Sequence, residues 1–240
     1  MILRRRLAPL ALLLLCGLAA GAGAGSLRER VAWQVALERV GLSPGIIDGI
    51  RGPKTELATW EFQRVRGLPK TGRLDARTAE ALGVDPDAAV TTYTVTAADA
   101  QAVGPCPTDW LARSRLDRMA YPSLAAAVAE RFHCSRGLLG RLNPALDIER
   151  LAVGDRLRAP AVPETLSAPR GARVDVNLAE KVIRVIDAER RLVGLFHCSI
   201  PADRTQLPKG ETTVAVIVEN PNYTFDPAMW PEVEGIDRKL

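Results

Sequence analysis

Apolar side chains between residues 27 and 40 recur at helical spacing. Val31 and Val35 stand about one helical turn apart, and Leu37 continues the apolar pattern after a step. An apolar stripe of this period is typical of an amphipathic helix that buries one face. We therefore predict a helix over this range that ends at Gly41, because glycine readily adopts the positive φ of a helix stop.

A second helix is predicted to begin after Gly52-Pro53. Proline suits the first helical position, where its missing N–H has no intrahelical partner to lose. Ala58 and Phe62 follow at one-turn spacing, and Gly67 ends the helix. A short third helix is predicted over residues 76–82. The expected core of these three helices consists of Leu37, Phe62, Leu68, Leu74 and Leu82.

The middle of the chain is predicted to form a strand, two helices and a second strand. Residues 93–96 are a β-branched and aromatic run that favours a strand. Helices are predicted over residues 124–132 and 136–142, and a turn at residues 151–157 leads into a strand that Pro160 ends.

The apolar period becomes strand-like in the last third of the chain. Val174 and Val176 alternate with polar residues, and apolar runs follow at residues 182–186, 192–196 and 212–218. Short strands joined by turns predict an antiparallel meander. The chain as a whole is therefore predicted to be a multidomain α+β protein.

The first 25 residues have the order of a secretory signal peptide. Arg4-Arg5-Arg6 is followed by an apolar run over residues 7–20 and by Ala22-Gly23-Ala24, a small-x-small cleavage pattern. The apolar run is too short to span a bilayer comfortably. A lipoprotein anchor at Cys16 is the alternative, although the residue before Cys16 is not small. We expect export to the periplasm or cell envelope, with no stable membrane anchor after cleavage.

Charge and cysteine content narrow the possible functions. The net charge of +4 falls to +1 without the three leader arginines, so there is no electrostatic case for nucleic-acid binding. Cys106, Cys134 and Cys198 remain after the leader, and either Cys106 and Cys134 form a disulfide or all three are free thiols. Cysteine and histidine have no metal-site spacing, and there is no glycine-rich phosphate loop. We therefore expect no metal and no cofactor.

The stretch from Val31 to Leu82 resembles the peptidoglycan-binding module of many wall hydrolases and transpeptidases. The resemblance implies a three-helix module over residues 26–84 that binds peptidoglycan. We expect its groove at the Asp48–Lys54 turn, where free N–H groups and Lys54 can meet carboxylates of stem peptides. The matching residues are Gln34, Leu37, Gly41, Pro44-Gly45, Asp48-Gly49, Gly52-Pro53-Lys54-Thr55, Phe62-Gln63, Gly67-Leu68-Pro69, Thr71-Gly72, Leu74-Asp75 and Thr78.

Residues 91–161 resemble a LysM module with βααβ order. The second half carries the likeness through Leu142-Asn143-Pro144, Val153-Gly154-Asp155 and Leu157, whereas residues 100–122 are an insertion in the first half. The resemblance implies an N-acetylglucosamine groove between the loop after the first strand and the Asn-Pro loop. Its ligand-binding candidates are Thr96, Asp99, Asn143 and Pro144. A LysM shape that serves only as a spacer is the open alternative.

Residues 172–240 resemble the beginning of an L,D-transpeptidase catalytic domain. The likeness rests on Val174–Asp187, Pro208-Lys209-Gly210 and Glu219–Pro227. The family's His-Gly and Ser-x-Gly-Cys segments have no match in this sequence, so we assign no catalytic residue. His197-Cys198 does not replace them, because neighbouring residues on a strand point to opposite faces.

These resemblances imply peptidoglycan binding and targeting by the N-terminal part of a cell-wall L,D-transpeptidase that cross-links stem peptides. The alternative is a non-catalytic envelope protein that binds peptidoglycan, and a weaker one is a targeting arm associated with a wall hydrolase. The expected partner is peptidoglycan, both its glycan strands and its stem peptides.

Overall fold

The computed structural model describes residues 25–165, 169–203, 205, 207, 210–219, 221 and 226. The leader prediction and most of the Pro208–Gly210 and Glu219–Pro227 segments lie outside these residues. The helices are α1 (Leu27–Arg39), α2 (Pro53–Val65), α3 (Ala76–Leu82), α4 (Ala97–Gln101), α5 (Trp110–Arg113), α6 (Leu124–Arg131) and α7 (Arg136–Leu142), with a 3₁₀ turn at Ile148–Arg150; the strands are β1 (Val90–Thr94), β2 (Arg156–Pro160), β3 (Arg173–Asn177), β4 (Val182–Ile186) and β5 (Leu192–His197).

The first three helices form where the sequence predicts them, but α1 is buried more completely than an amphipathic helix. Ser26 and Glu29 close its N-terminus with a capping box. Every residue from 31 to 38 is buried. A helix buried all round lies in the interior of a larger structure rather than at the edge of a small one.

Helix α1 is shared by two hydrophobic cores. Val31 and Val35 pack in one core with residues of α6, α7 and β2. Leu37 packs in the other core with Phe62 of α2 and Leu195 of β5. The first three helices therefore do not form an independently packed unit, since opposite sides of α1 pack against the middle and the last part of the chain.

The middle part contains the predicted strands and the two predicted helices, but two further short helices, α4 and α5, lie between β1 and α6. Strands β1 and β2 pair antiparallel, and Ser123 and Ser135 cap α6 and α7 with their hydroxyls. Strand β1 is Val90–Thr94, whereas a strand at residues 93–96 was expected from the β-branched run. The difference arises because Thr96 is taken as the N-cap of α4.

The last part is a three-stranded antiparallel sheet in the order β3-β4-β5. Val182 and Leu195 are fully buried against the helices. The outer edge of β5 is partly occupied, because Leu195 accepts a hydrogen bond from the Ser43 amide (2.9 Å) and donates one to the Gly41 carbonyl (2.9 Å).

The fourth strand predicted over residues 212–218 does not form. These residues have no regular secondary structure and are exposed. A strand is stable only when a neighbour satisfies its backbone groups. Near Leu195, the edge of β5 that could have supplied a partner already pairs with residues 41–43. The β-branched run alone was therefore a misleading signal.

Candidate functional site

The turn before α2 is built around one buried glutamine. The side-chain carbonyl of Gln34 accepts hydrogen bonds from the amides of Asp48 (3.1 Å) and Gly49 (2.7 Å). Its NH₂ group donates to the Asp48 carboxylate (3.0 Å) and the Ile50 carbonyl (3.2 Å). Gly49 has φ +65°, and a Cβ there would come within 2.4 Å of the Leu27 side chain. Only glycine fits this position without rearrangement.

The same construction is repeated before α3. The carbonyl of Gln63 accepts from the amides of Thr71 and Gly72, both at 2.8 Å, and Gly72 has φ +67°. In sequence, Asp48-Gly49…Thr55 and Thr71-Gly72…Thr78 have identical spacing. This spacing is visible in the sequence, whereas the role of Gln34 and Gln63 follows only from the structure.

A groove of about 450 Å³ lies beside the first turn. This volume falls in the usual range of small-molecule sites, about 300–1,000 Å³. Ile46 and Ile50 line it although 65% and 57% of their surfaces are exposed. Lys54 lines it too, and no hydrogen bond or ion pair engages its ammonium within the described part of the chain. The structure thus brings together Asp48 and Lys54, the two site residues predicted for this module.

The two predicted residues differ in what they offer a ligand. One Asp48 carboxylate oxygen closes the turn by accepting from the Ile50 amide (2.9 Å) and from Gln34. Lys54 stands in the first turn of α2, where Gly52 provides no side-chain cap. The amides of a helix's first turn have no intrahelical acceptor and carry partial positive charge. This end of the groove is therefore suited to an anion.

The loop that forms one wall of the groove is held on both sides by other parts of the chain. Leu42 forms a parallel bridge with Leu195 of β5, and Ile47 forms one with Cys134 after α6. The wall between them contains Pro44 and Ile46. The shape of the groove consequently depends on residues far outside the first three helices.

His197 lies at the sheet side of this loop. Its Nε2 is 3.1 Å from the Ser43 carbonyl oxygen. Burial, followed by the positive charge of Lys54, lowers the pKa of His197. The Cys198 amide donates to the Lys181 carbonyl (2.9 Å). Both residues are thus used in docking and sheet pairing.

Thr96 and Asp99 form a closed internal cluster. The Asp99 carboxylate accepts from the Tyr93 hydroxyl (2.5 Å), the Thr96 amide (2.8 Å) and the Thr96 hydroxyl (2.7 Å). Arg131 lies 3.3 Å from its other oxygen. Burial opposes ionisation, but these hydrogen bonds and the Arg131 charge outweigh it and lower the pKa of Asp99.

The side chain of Asn143 also forms its hydrogen bonds within the protein. Pro144 beside it is exposed. The amide group of Asn143 donates to the carbonyls of Leu139 and Arg158 (both 2.8 Å) and accepts from the Arg158 amide (2.7 Å). Arg158 pairs with Thr92 of β1, whereas Thr96 lies beyond the end of that strand as the N-cap of α4. Thr96 and Asp99 bond to each other, whereas Asn143 bonds to the backbone of Leu139 and Arg158.

The three cysteines of the described residues are free thiols. Cys106 is exposed, Cys198 is half-buried, and Cys134 is buried. Burial raises the pKa of Cys134 to about 12. Among the described residues there is no group of three or more metal-ligating side chains, and no helix there is long and apolar enough to cross a membrane.

Comparison with known families identifies one part of the chain. Residues 28–82 match the family model described as a putative peptidoglycan binding domain. A search of curated proteins found no match. The family match covers α1 to α3 and includes both glutamine-centred turns. This match supports a peptidoglycan-binding module at residues 28–82 and an association with the cell envelope.

Proposed function

We propose that the chain binds stem peptides of peptidoglycan in the groove beside Asp48 and Lys54. We further propose that it does so as the N-terminal part of an exported cell-wall L,D-transpeptidase. The observation that carries the proposal is the position of this groove inside the peptidoglycan-binding module, with a free ammonium at one end and exposed apolar side chains along it.

The chemistry of the groove fits a stem peptide. Such a peptide offers carboxylates, backbone amides and small apolar side chains. Lys54 and the amides of the first turn of α2 are suited to a carboxylate. Ile46 and Ile50 can cover apolar parts of the peptide, which would remove their exposed surface from water.

The arrangement of the sheet supports a targeting role. Arg184 of β4 forms an ion pair with buried Glu61 of α2, with Nε 2.6 Å from the carboxylate. Together with the Leu42–Leu195 bridge, this contact fixes the sheet against the module. A transpeptidase domain that began with this sheet would be held in a defined orientation to the bound wall.

A non-catalytic envelope protein remains the second candidate, because of the cysteines. The Cys134 thiol is buried with a raised pKa, and the Cys106 thiol contacts the Ala120 carbonyl at 2.9 Å. A nucleophilic cysteine needs a lowered pKa and a base within reach. Mass spectrometry after incubation with a carbapenem tests whether a cysteine of this chain is itself a reactive nucleophile, which neither candidate predicts. A stoichiometric adduct on a cysteine of this chain would favour an enzyme.

Sedimentation with insoluble peptidoglycan tests the binding proposal. Lys54→Glu should weaken binding at least about tenfold, because a hydrogen bond to a charged group contributes about 1.5–3 kcal/mol and about 1.4 kcal/mol is tenfold. Arg77→Glu is the matched control, since Arg77 holds the equivalent position in the repeated turn. Equal sedimentation of the Lys54→Glu variant and the wild type would contradict the proposal.

A further inference from the structure

A second groove, of about 340 Å³, lies further along α2, beside Glu56, Leu57 and Trp60. Its floor and walls come from Glu56, Leu57 and Trp60 of α2 and from Thr71-Gly72 of the repeated turn. Glu180, in the turn between β3 and β4, closes it from the sheet. The groove is therefore composite, because it needs both the peptidoglycan-binding module and the sheet.

We infer that this second groove binds a neutral N-acetylated sugar ring of the glycan strand. The inference rests on the proposed function, since it deepens peptidoglycan binding by assigning the glycan a place beside the stem peptide. The argument depends on the aromatic side chain, on the acceptors around it and on the distance to the first groove.

Trp60 supplies the surface on which a sugar ring can stack. Its side chain is partly exposed, and its indole N–H has no hydrogen-bond partner within the described residues. Tryptophan combines an apolar face with one donor. The C–H face of a pyranose is apolar, and its rim carries hydroxyl and amide groups. Lys70, which does not line the groove, stands 5.7 Å from the ring centroid and helps to fix the ring.

Each of the two glutamates keeps one carboxylate oxygen available. Glu56 is held through Oε1 by Arg51 (2.8 Å). Glu180 is held through Oε2 by Asn177 (2.9 Å) and Arg184 (2.7 Å). The second oxygen of each has no protein donor among the described residues and can accept from sugar hydroxyls or an acetamido N–H. Carboxylates at the rim disfavour a stem-peptide carboxylate and favour a neutral ligand.

The two grooves border the same helix, so one molecule of peptidoglycan could reach both. Lys54 and Trp60 are six residues apart on α2, which is about 9 Å along the helix axis. In peptidoglycan the stem peptide is covalently attached to the glycan strand. A peptide held at Lys54 therefore places a sugar of its own strand within reach of Trp60.

Isothermal titration calorimetry with two soluble probes tests the inference on the mature chain. The probes are the β-1,4-linked tetramer of N-acetylglucosamine and a stem tetrapeptide. Trp60→Ala should weaken sugar binding at least tenfold and leave tetrapeptide binding unchanged. Trp110→Ala is the matched control, because Trp110 is also partly exposed with a cation 5.1 Å from its ring.

Further variants keep the test decisive if Trp60→Ala fails to fold. Trp60→Phe retains an aromatic face and removes the N–H, and Glu180→Gln alters only the sheet side of the groove. Each should weaken sugar binding several-fold. Sugar binding by the folded variants that equals the wild type, or a wild type that binds tetrapeptide but no sugar, would overturn the inference and leave the proposed function standing. A wild type that does not sediment with peptidoglycan would instead overturn the proposed function.

Discussion

At the scale of single residues, Gln34 and Gln63 have the same structural role at two turns that differ in their surroundings. Each buried side chain satisfies two backbone amides of a glycine turn. Replacing either by leucine leaves these amides without an acceptor, and an unsatisfied buried group costs about 1–3 kcal/mol.

The pair of variants therefore separates stability from binding. We expect Gln34→Leu and Gln63→Leu to lower the free energy of unfolding by similar amounts in urea titrations. Only Gln34→Leu should also weaken tetrapeptide binding, because Gln34 lines the first groove. Equal loss of tetrapeptide binding in both variants would mean that the first turn has no special role in recognition.

The cysteines give a second prediction at this scale, because the thiolate is the form that reacts with alkylating agents. At pH 8, iodoacetamide should modify exposed Cys106 first and half-buried Cys198 more slowly. Cys134 should stay unmodified until the protein unfolds, because burial raises its pKa to about 12 and thus suppresses its thiolate at this pH. Peptide mapping over time measures the order. Early modification of Cys134 in the folded protein would contradict its buried position.

At the scale of elements, the sequence predicts which helices and strands form better than it predicts which of their side chains are buried. Helices α2, α3, α6 and α7 begin and end close to their predicted limits, because proline, capping residues and glycine are local signals. The side chains of α1 could not be placed in the same way. Val31 and Leu37 face two different cores, and both cores depend on residues distant in sequence. Val65 continues the helical spacing of Ala58 and Phe62, yet it is 45% exposed.

The predicted site residues likewise divide into those that local signals place correctly and those that depend on distant partners. Asp48 and Lys54 were found from a local turn and lie in one groove. Thr96, Asp99 and Asn143 followed from the LysM resemblance, but their partners Tyr93, Arg131 and Arg158 could not be inferred from spacing. Whether a polar side chain is available to a ligand depends on such long-range partners.

The contact between β4 and α2 gives a prediction at this scale. Glu61 is 2% exposed at its side chain and is paired with Arg184, which is 16% exposed. Removing one partner of a buried ion pair costs about 3–5 kcal/mol. Glu61→Ala should reduce the hydrogen-exchange protection of β4 and β5 more than that of α6 and α7. Glu61→Gln retains the shape of the side chain and should reduce the protection of β4 and β5 less than Glu61→Ala does. Unchanged protection of the sheet in Glu61→Ala would show that other contacts dock it.

At the scale of the whole molecule, the three parts named by sequence resemblance share their interiors. One face of α1 packs in the core of the middle part of the chain, and another packs in the core beneath the sheet. Arg39 adds polar contacts across the parts by donating to the carbonyls of Ala88 (2.9 Å) and Ala161 (2.9 Å). A chain of independent modules would instead have exposed linkers with few contacts across them.

This sharing predicts that the described parts unfold together. Leu139 of α7 and Leu37 of α1 are both fully buried, one in each core. Replacing either with alanine should cost about 2–5 kcal/mol, and for a chain of this size each kcal/mol lowers Tm by about 2–4 °C. Because α1 couples the cores, both variants should shift one common calorimetric transition whose calorimetric and van't Hoff enthalpies agree. Two resolved transitions, with Leu139→Ala moving one and Leu37→Ala the other, would mean that helices α1 to α3 and the middle part of the chain fold separately. The first groove would then not depend on its neighbours.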